Sequence, residues 1–145
     1  LGYGVMRKDL AAHFGRLMTN VNSCSAGFTQ VAGMEAIQGD QASVDHMREQ
    51  FHARRDKFIA GLNKIPGFSC RLPHGAFYAF PNIKKTGWET RKLADAMLNE
   101  AGVACLAGTA FGKFGEGYLR FSIANSMENL DEALNRIDAW AKKNI

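Results

Sequence analysis

The chain has 145 residues, enough for one domain with a real core, and carries 46% hydrophobic and 22% charged residues at a net charge of +4. That balance excludes disorder, and bases interleaved with acids, as in Arg48-Glu49 and Arg54-Arg55-Asp56, argue for a solvated surface rather than a nucleic-acid patch. No apolar run approaches the roughly 18 residues of a membrane span.

The opening Leu1-Gly2-Tyr3-Gly4-Val5 reads as the middle of a strand and turn, so the chain is expected to be a piece of a longer protein. Met6, Leu10, Phe14 and Leu17 recur at helical spacing and predict a helix from Met6 to Met18. Thr19 to Ser25 is a polar loop rich in capping residues. A second helix is expected from Gly27 to Gln38, with Val31, Met34 and Ala36 or Ile37 inward, closed by Gly39-Asp40. From Gln41 to Lys64, Val44, Met47, Phe51, Phe58 and Leu62 form one stripe of a long helix. Arg54-Arg55 near an expected apolar position argues against a coiled coil.

Pro66-Gly67 ends that helix, and Phe68 to Arg71 predicts a short strand. Pro73-His74-Gly75 makes a turn, with Gly75 expected at a bulge or close backbone approach. Ala76 to Phe80 reads as an apolar strand in which Phe77 and Tyr78 are packing residues. Glu89 to Ala101 predicts a helix ended by Gly102, and Val103 to Leu106 a strand. Ala107 to Glu116 is a glycine-bearing loop that lacks the arrangement of a nucleotide-binding turn, and its Lys113 reads as a surface residue. Asn125, with Glu128 three residues on, predicts a capping box for a last helix burying Leu130, Leu134, Ile137 and Trp140 or Ala141.

Between that loop and the last helix lies Gly-Tyr-Leu-Arg-Phe-Ser-Ile-Ala-Asn, residues 117–125. It alternates as a strand does. Leu119, Phe121 and Ile123 suit a core, while Tyr118, Arg120 and Ser122 share the other face. An arginine on a rigid strand presents a planar fork of donors that fits a carboxylate or phosphate. Pattern alone leaves two readings open: an anion clamp, or an edge arginine reaching water or a surface acid. The order of elements is served by an α/β (α+β) fold, a small mixed, largely antiparallel sheet covered by helices. The cysteines (Cys24, Cys70 and Cys105) and the four histidines are scattered, which argues against a metal site or a disulfide framework and for a reducing compartment.

Several stretches resemble the class I/II aminotransferases, the fold-type I enzymes that use pyridoxal phosphate. Gly75-Ala76-Phe77-Tyr78 is similar to that family's Gly-Ala-Phe-Tyr strand. Leu106-Ala107-Gly108-Thr109-Ala110-Phe111-Gly112 is similar to its Pro-Gly-Ser-x-Phe-Gly loop, with Ala107 where proline is usual. Residues 117–125 resemble its arginine strand, Leu1-Gly2-Tyr3 the tail of its lysine segment, and Asn22-Ser23-Cys24 with Gln30 the loop before its interface helix.

The resemblance implies a C-terminal part of an aspartate aminotransferase-like enzyme. Residues 1–40 would end the large cofactor-binding domain, and residues 41–145 would form the C-terminal small domain. It implies that Arg120 binds the substrate α-carboxylate. It further implies that Asn22 and Ser23 reach a neighbouring subunit's substrate or cofactor, or else cap the next helix. The family's Schiff-base lysine would precede Leu1, so no catalytic residue is expected here, and the fragment alone is expected neither to hold pyridoxal phosphate nor to transaminate. The parent would be a cytoplasmic homodimer acting on amino acids, aspartate or a broad range, and 2-oxo acids. Another chemistry on the same scaffold (a carbon–sulfur lyase or a synthase) and a non-catalytic binding or assembly domain are the alternatives.

Overall fold

A computed structural model describes residues 1–145 and divides them into two compact units, Leu1–Val44 and Asp45–Ile145. The first unit holds α1 (Lys8–Val21) and α2 (Gly27–Gln38). Helix α1 starts later than its apolar spacing suggests, at Lys8 rather than Met6, and runs on past Met18 to Val21. Neither helix buries a single residue. Phe14, Leu17, Val31, Met34 and Ile37, expected to face inward, are each about half exposed or more.

In the second unit, the long helix α3 (Ala42–Leu62) buries Phe58, Ile59 and Leu62, while Val44 and Met47 stay exposed. Three short strands follow: β1 (Tyr78–Ala79), β2 (Leu106–Ala107) and β3 (Leu119–Ser122). They form a sheet in the order β1-β3-β2, antiparallel throughout. Tyr78 pairs with Ser122 and Leu106 with Arg120, so β3 is the central strand. The strand expected over Phe68 to Arg71 shrinks to one bridge, Ser69 to Asn82. The strand expected over Val103 to Leu106 sits later, at Leu106–Ala107. Gly75 makes no close approach. The residue with positive φ at that turn is Ala76, at 60°.

Helices α4 (Thr90–Asn99) and α5 (Met127–Asn144) complete the core with Leu93, Met97, Leu130 and Ile137 against Ala79, Leu119, Phe121 and Ile123 of the inner sheet face. Trp140 is buried in α5, and its indole N–H donates to Glu100 Oε2 at 2.7 Å, so its polar edge is not left unpaired. The cap of α5 differs from expectation by one residue. Ser126, not Asn125, accepts from the Asn129 N–H at 3.2 Å, while Asn125 Oδ1 accepts from the Ser126 N–H and from Asn129 Nδ2.

Helix α4 is capped from a distant loop. Thr90, fully buried, donates its hydroxyl to Glu116 Oε1 at 2.7 Å and accepts from the Gly117 N–H at 2.7 Å. Glu116 also accepts from the Thr90 N–H at 3.3 Å, satisfying an orphan donor of the first turn. The side-chain bond from Thr90, then its backbone N–H, hold the Glu116 carboxyl below the ordinary carboxylate range. A carboxyl whose folded pKa is depressed stabilises the fold above its unfolded value, and that contribution is lost as pH falls through the folded one. Thr90→Val should therefore cost about 1–3 kcal/mol, the loss expected when a buried donor and acceptor lose their partner. Glu116→Gln should flatten the acid limb of stability against pH, read as urea midpoints from about pH 3 to 6. An acid limb identical to that of the unmodified protein would remove Glu116 from this role.

Candidate anion site on the central strand

Arg120 sits on β3 because the strand's alternation assigns it the outer face: Leu119, Phe121 and Ile123 are 0%, 3% and 1% exposed, whereas Arg120 is half-buried. Its cross-strand partner is Leu106 on one side, and Tyr78, diagonal to it across β1, lies on the other. The guanidinium carbon lies 4.4 Å from the centroid of the Tyr78 ring and 4.1 Å from that of Phe111. Both distances fit cation–π contact with a ring face. Arg120 joins none of the ion pairs of the chain, and its side chain donates no hydrogen bond within it. An always-charged donor fork, held by apolar faces and lacking an internal acceptor, suits an external anion.

Phe111 comes from a loop that the sheet alone would not bring near. Two 3-10 turns, Gly108–Phe111 and Lys113–Gly115, fold it back on itself. Gly108 and Gly115 meet backbone to backbone: a Cβ on Gly115 would fall 1.9 Å from the Gly108 carbonyl oxygen, so only glycine permits this approach. The Gly108 N–H donates to the Tyr118 carbonyl at 2.8 Å and ties the loop to the run leading into β3. Phe80 extends the aromatic surface, 5.5 Å from Tyr118 and 6.2 Å from Phe111 between centroids. Lys84 Nζ lies 5.6 Å from the Tyr118 centroid. A cleft of about 510 Å³ opens beside Tyr78, Phe80 and Tyr118. The sequence alone presents Tyr78 as a packing residue and gives Phe111 no role. Pairing of Tyr78 with Ser122 places its ring beside Arg120, and no local pattern announces that register.

Asn22 and Ser23 lie in the first unit. Asn22 closes α1, its N–H donating to the Met18 carbonyl at 2.8 Å, and Ser23 is left-handed at φ 61°. Neither caps α2. Its N-cap is Ala26 with no side-chain bond, and Gln30 Nε2 instead donates to the Ser25 carbonyl. The side chains of Asn22 and Ser23 are exposed. Lys113 is exposed beside Phe114. Burial pushes the Cys105 thiol up to about 12 and also raises that of Cys70, so neither is a ready nucleophile at neutral pH. No helix is long and apolar enough to cross a membrane.

Comparison with known proteins agrees with this architecture. The family described as aminotransferase class I and II matches residues 1–137. An aspartate aminotransferase of Pyrococcus horikoshii is 39% identical over 140 residues, covering 95% of this chain and 36% of the relative. Among solved structures, an aromatic aminotransferase of the same organism matches with a TM-score of 0.82 at 37% identity, over 88% of this chain and 35% of that one. An aspartate aminotransferase from Rhizobium meliloti gives 0.84 at 32% identity, over 94% of this chain and 36% of that one. The chain thus spans little more than a third of the length of these relatives. With its small antiparallel sheet, arginine-bearing central strand and a family match over nearly its whole length, the chain belongs to the class I and II aminotransferases.

Proposed function

We propose that these 145 residues are the C-terminal part of a pyridoxal-phosphate-dependent aminotransferase that moves an amino group from an amino acid, aspartate or a broad range, to a 2-oxo acid. Residues 1–40 then end the large domain and residues 41–145 are the small domain. The observation that carries the reading is Arg120: half-buried on a rigid strand, faced by two aromatic rings and without an acidic partner in its own chain. Amino acids and 2-oxo acids share one group, the carboxylate beside the reacting carbon. A bidentate pair with Arg120 would bind that group in both and fix the orientation of the reacting carbon.

The side chains present do not build a cofactor site by themselves. All nine lysines are exposed, and none stands in the desolvated setting that activates a Schiff-base lysine. The anchor of the cofactor then belongs to polypeptide outside these residues, and the part played by this chain is to bind and orient the substrate. Asn22 and Ser23, exposed at the end of α1 and free of any capping duty toward α2, are proposed to contact substrate or cofactor across a homodimer interface of a cytoplasmic enzyme.

The test is discrimination between an amino acid and the primary amine that lacks only its carboxylate. The full-length protein should strongly prefer the amino acid, and Arg120→Ala should erase most of that preference. Preference kept intact in the variant would overturn the assignment of Arg120.

A further inference from the structure

We infer that Phe111 and Tyr78 are positioning residues for Arg120, holding its guanidinium in the orientation that receives a carboxylate. This rests on the carboxylate-binding role of Arg120 and extends it to two residues outside the strand. Both ring centroids lie within 4.4 Å of the guanidinium carbon, and they come from separate elements, β1 and the 3-10 turn after β2.

Rings lying against the face of a guanidinium leave its N–H donors, which all lie in its plane, free to bond at the edge. They also limit the rotamers of a long side chain that is otherwise costly to order, so less freedom is lost when an anion arrives. The rings are themselves supported. Tyr78 stacks on Phe77 with centroids 4.5 Å apart, Phe80 meets Phe111 edge-on, and the Gly108–Gly115 contact closes the loop that carries Phe111. Tyr78 and Phe111 remain 38% and 50% exposed, so the pairing sits on an open surface rather than in the core. Exposed aromatic area spent on a single arginine has no role in the packing of this unit, whose core lies on the opposite sheet face.

The test uses the full-length protein and steady-state kinetics with an amino-acid substrate. Phe111→Leu keeps apolar bulk but loses the ring face, and should raise KM about 3- to 30-fold with a much smaller change in kcat. Phe111→Tyr should restore KM. Phe111→Leu should have no further effect on KM in an Arg120→Lys background, because the ring acts through the guanidinium. Tyr78→Leu should behave in the same way, with Tyr78→Phe restoring KM. If Arg120→Lys raises KM while Phe111→Leu does not, or if Phe111→Leu acts equally in both backgrounds, the positioning role is overturned and the carboxylate reading stands. If Arg120→Lys leaves KM unchanged, the carboxylate reading itself fails, and this inference with it.

Discussion

Arg120→Ala is expected to lower kcat/KM for amino-acid substrates of the full-length protein by roughly 30-fold or more, the effect of about 2 kcal/mol or more for truncating one partner of a hydrogen-bonded charge pair. The same substitution should weaken the 2-oxo acid half-reaction by a similar factor, because the carboxylate is common to both substrates. Arg120→Lys should fall between the unmodified protein and Arg120→Ala. Lysine keeps the charge but replaces a planar fork with a point charge, which cannot make two parallel bonds or lie flat against Tyr78 and Phe111. Fold and thermal stability should barely change, since the side chain forms no ion pair and donates no hydrogen bond within its own chain. Initial rates over a substrate series, with circular dichroism as the control, decide the matter. A loss of activity accompanied by unfolding would count against a binding role, as would unchanged kcat/KM.

The second large effect lies beneath the strand. Phe58→Ala should destabilise the protein by about 3–5 kcal/mol, the range for emptying a buried phenylalanine site. Phe58 is 1% exposed at the buried end of α3, and its ring lies 5.8 Å from that of Phe121. Phe121 adjoins Arg120 in β3, so a cavity there loosens the strand that carries the anion site. Thermal unfolding should come roughly 10 °C lower or more, given the entropy of a domain near this size. Met47→Ala on the same helix is the control. Met47 is 54% exposed, and its loss should stay within about 0.5 kcal/mol. Equal costs for the two substitutions would show that α3 is not anchored to the core where the structure places it.

Much of the second unit was legible in the chain because two periodicities are strong there. Leu119, Phe121 and Ile123 alternate and are buried. Leu130, Ile137, Trp140 and Ala141 recur at helical spacing and are buried too. Boundaries were less legible. Asn125 and Ser126 have nearly the same capping chemistry, so only the backbone decides that Ser126 is the cap. Short strands such as Phe68 to Arg71 depend on a partner for their hydrogen bonds, and this one finds a single bridge.

The first unit shows the opposite case. The apolar spacing of α1 correctly announces a helix, yet says nothing of what would cover it, and within these residues its apolar side chains stay exposed. A stripe identifies a face that seeks burial, and burial requires a second surface.

By itself the sequence determined the element types, the strand face on which Arg120 stands, and the family to which the motifs of residues 75–81, 106–112 and 117–125 belong. These follow from local periodicity and from residue chemistry at short spacing. Tertiary structure alone decided that Tyr78 and Phe111 meet Arg120, that Glu116 caps α4, and that Gly108 lies against Gly115. Each of these contacts joins separate elements, and a contact of that kind is set by strand register and loop closure rather than by any pattern within one element.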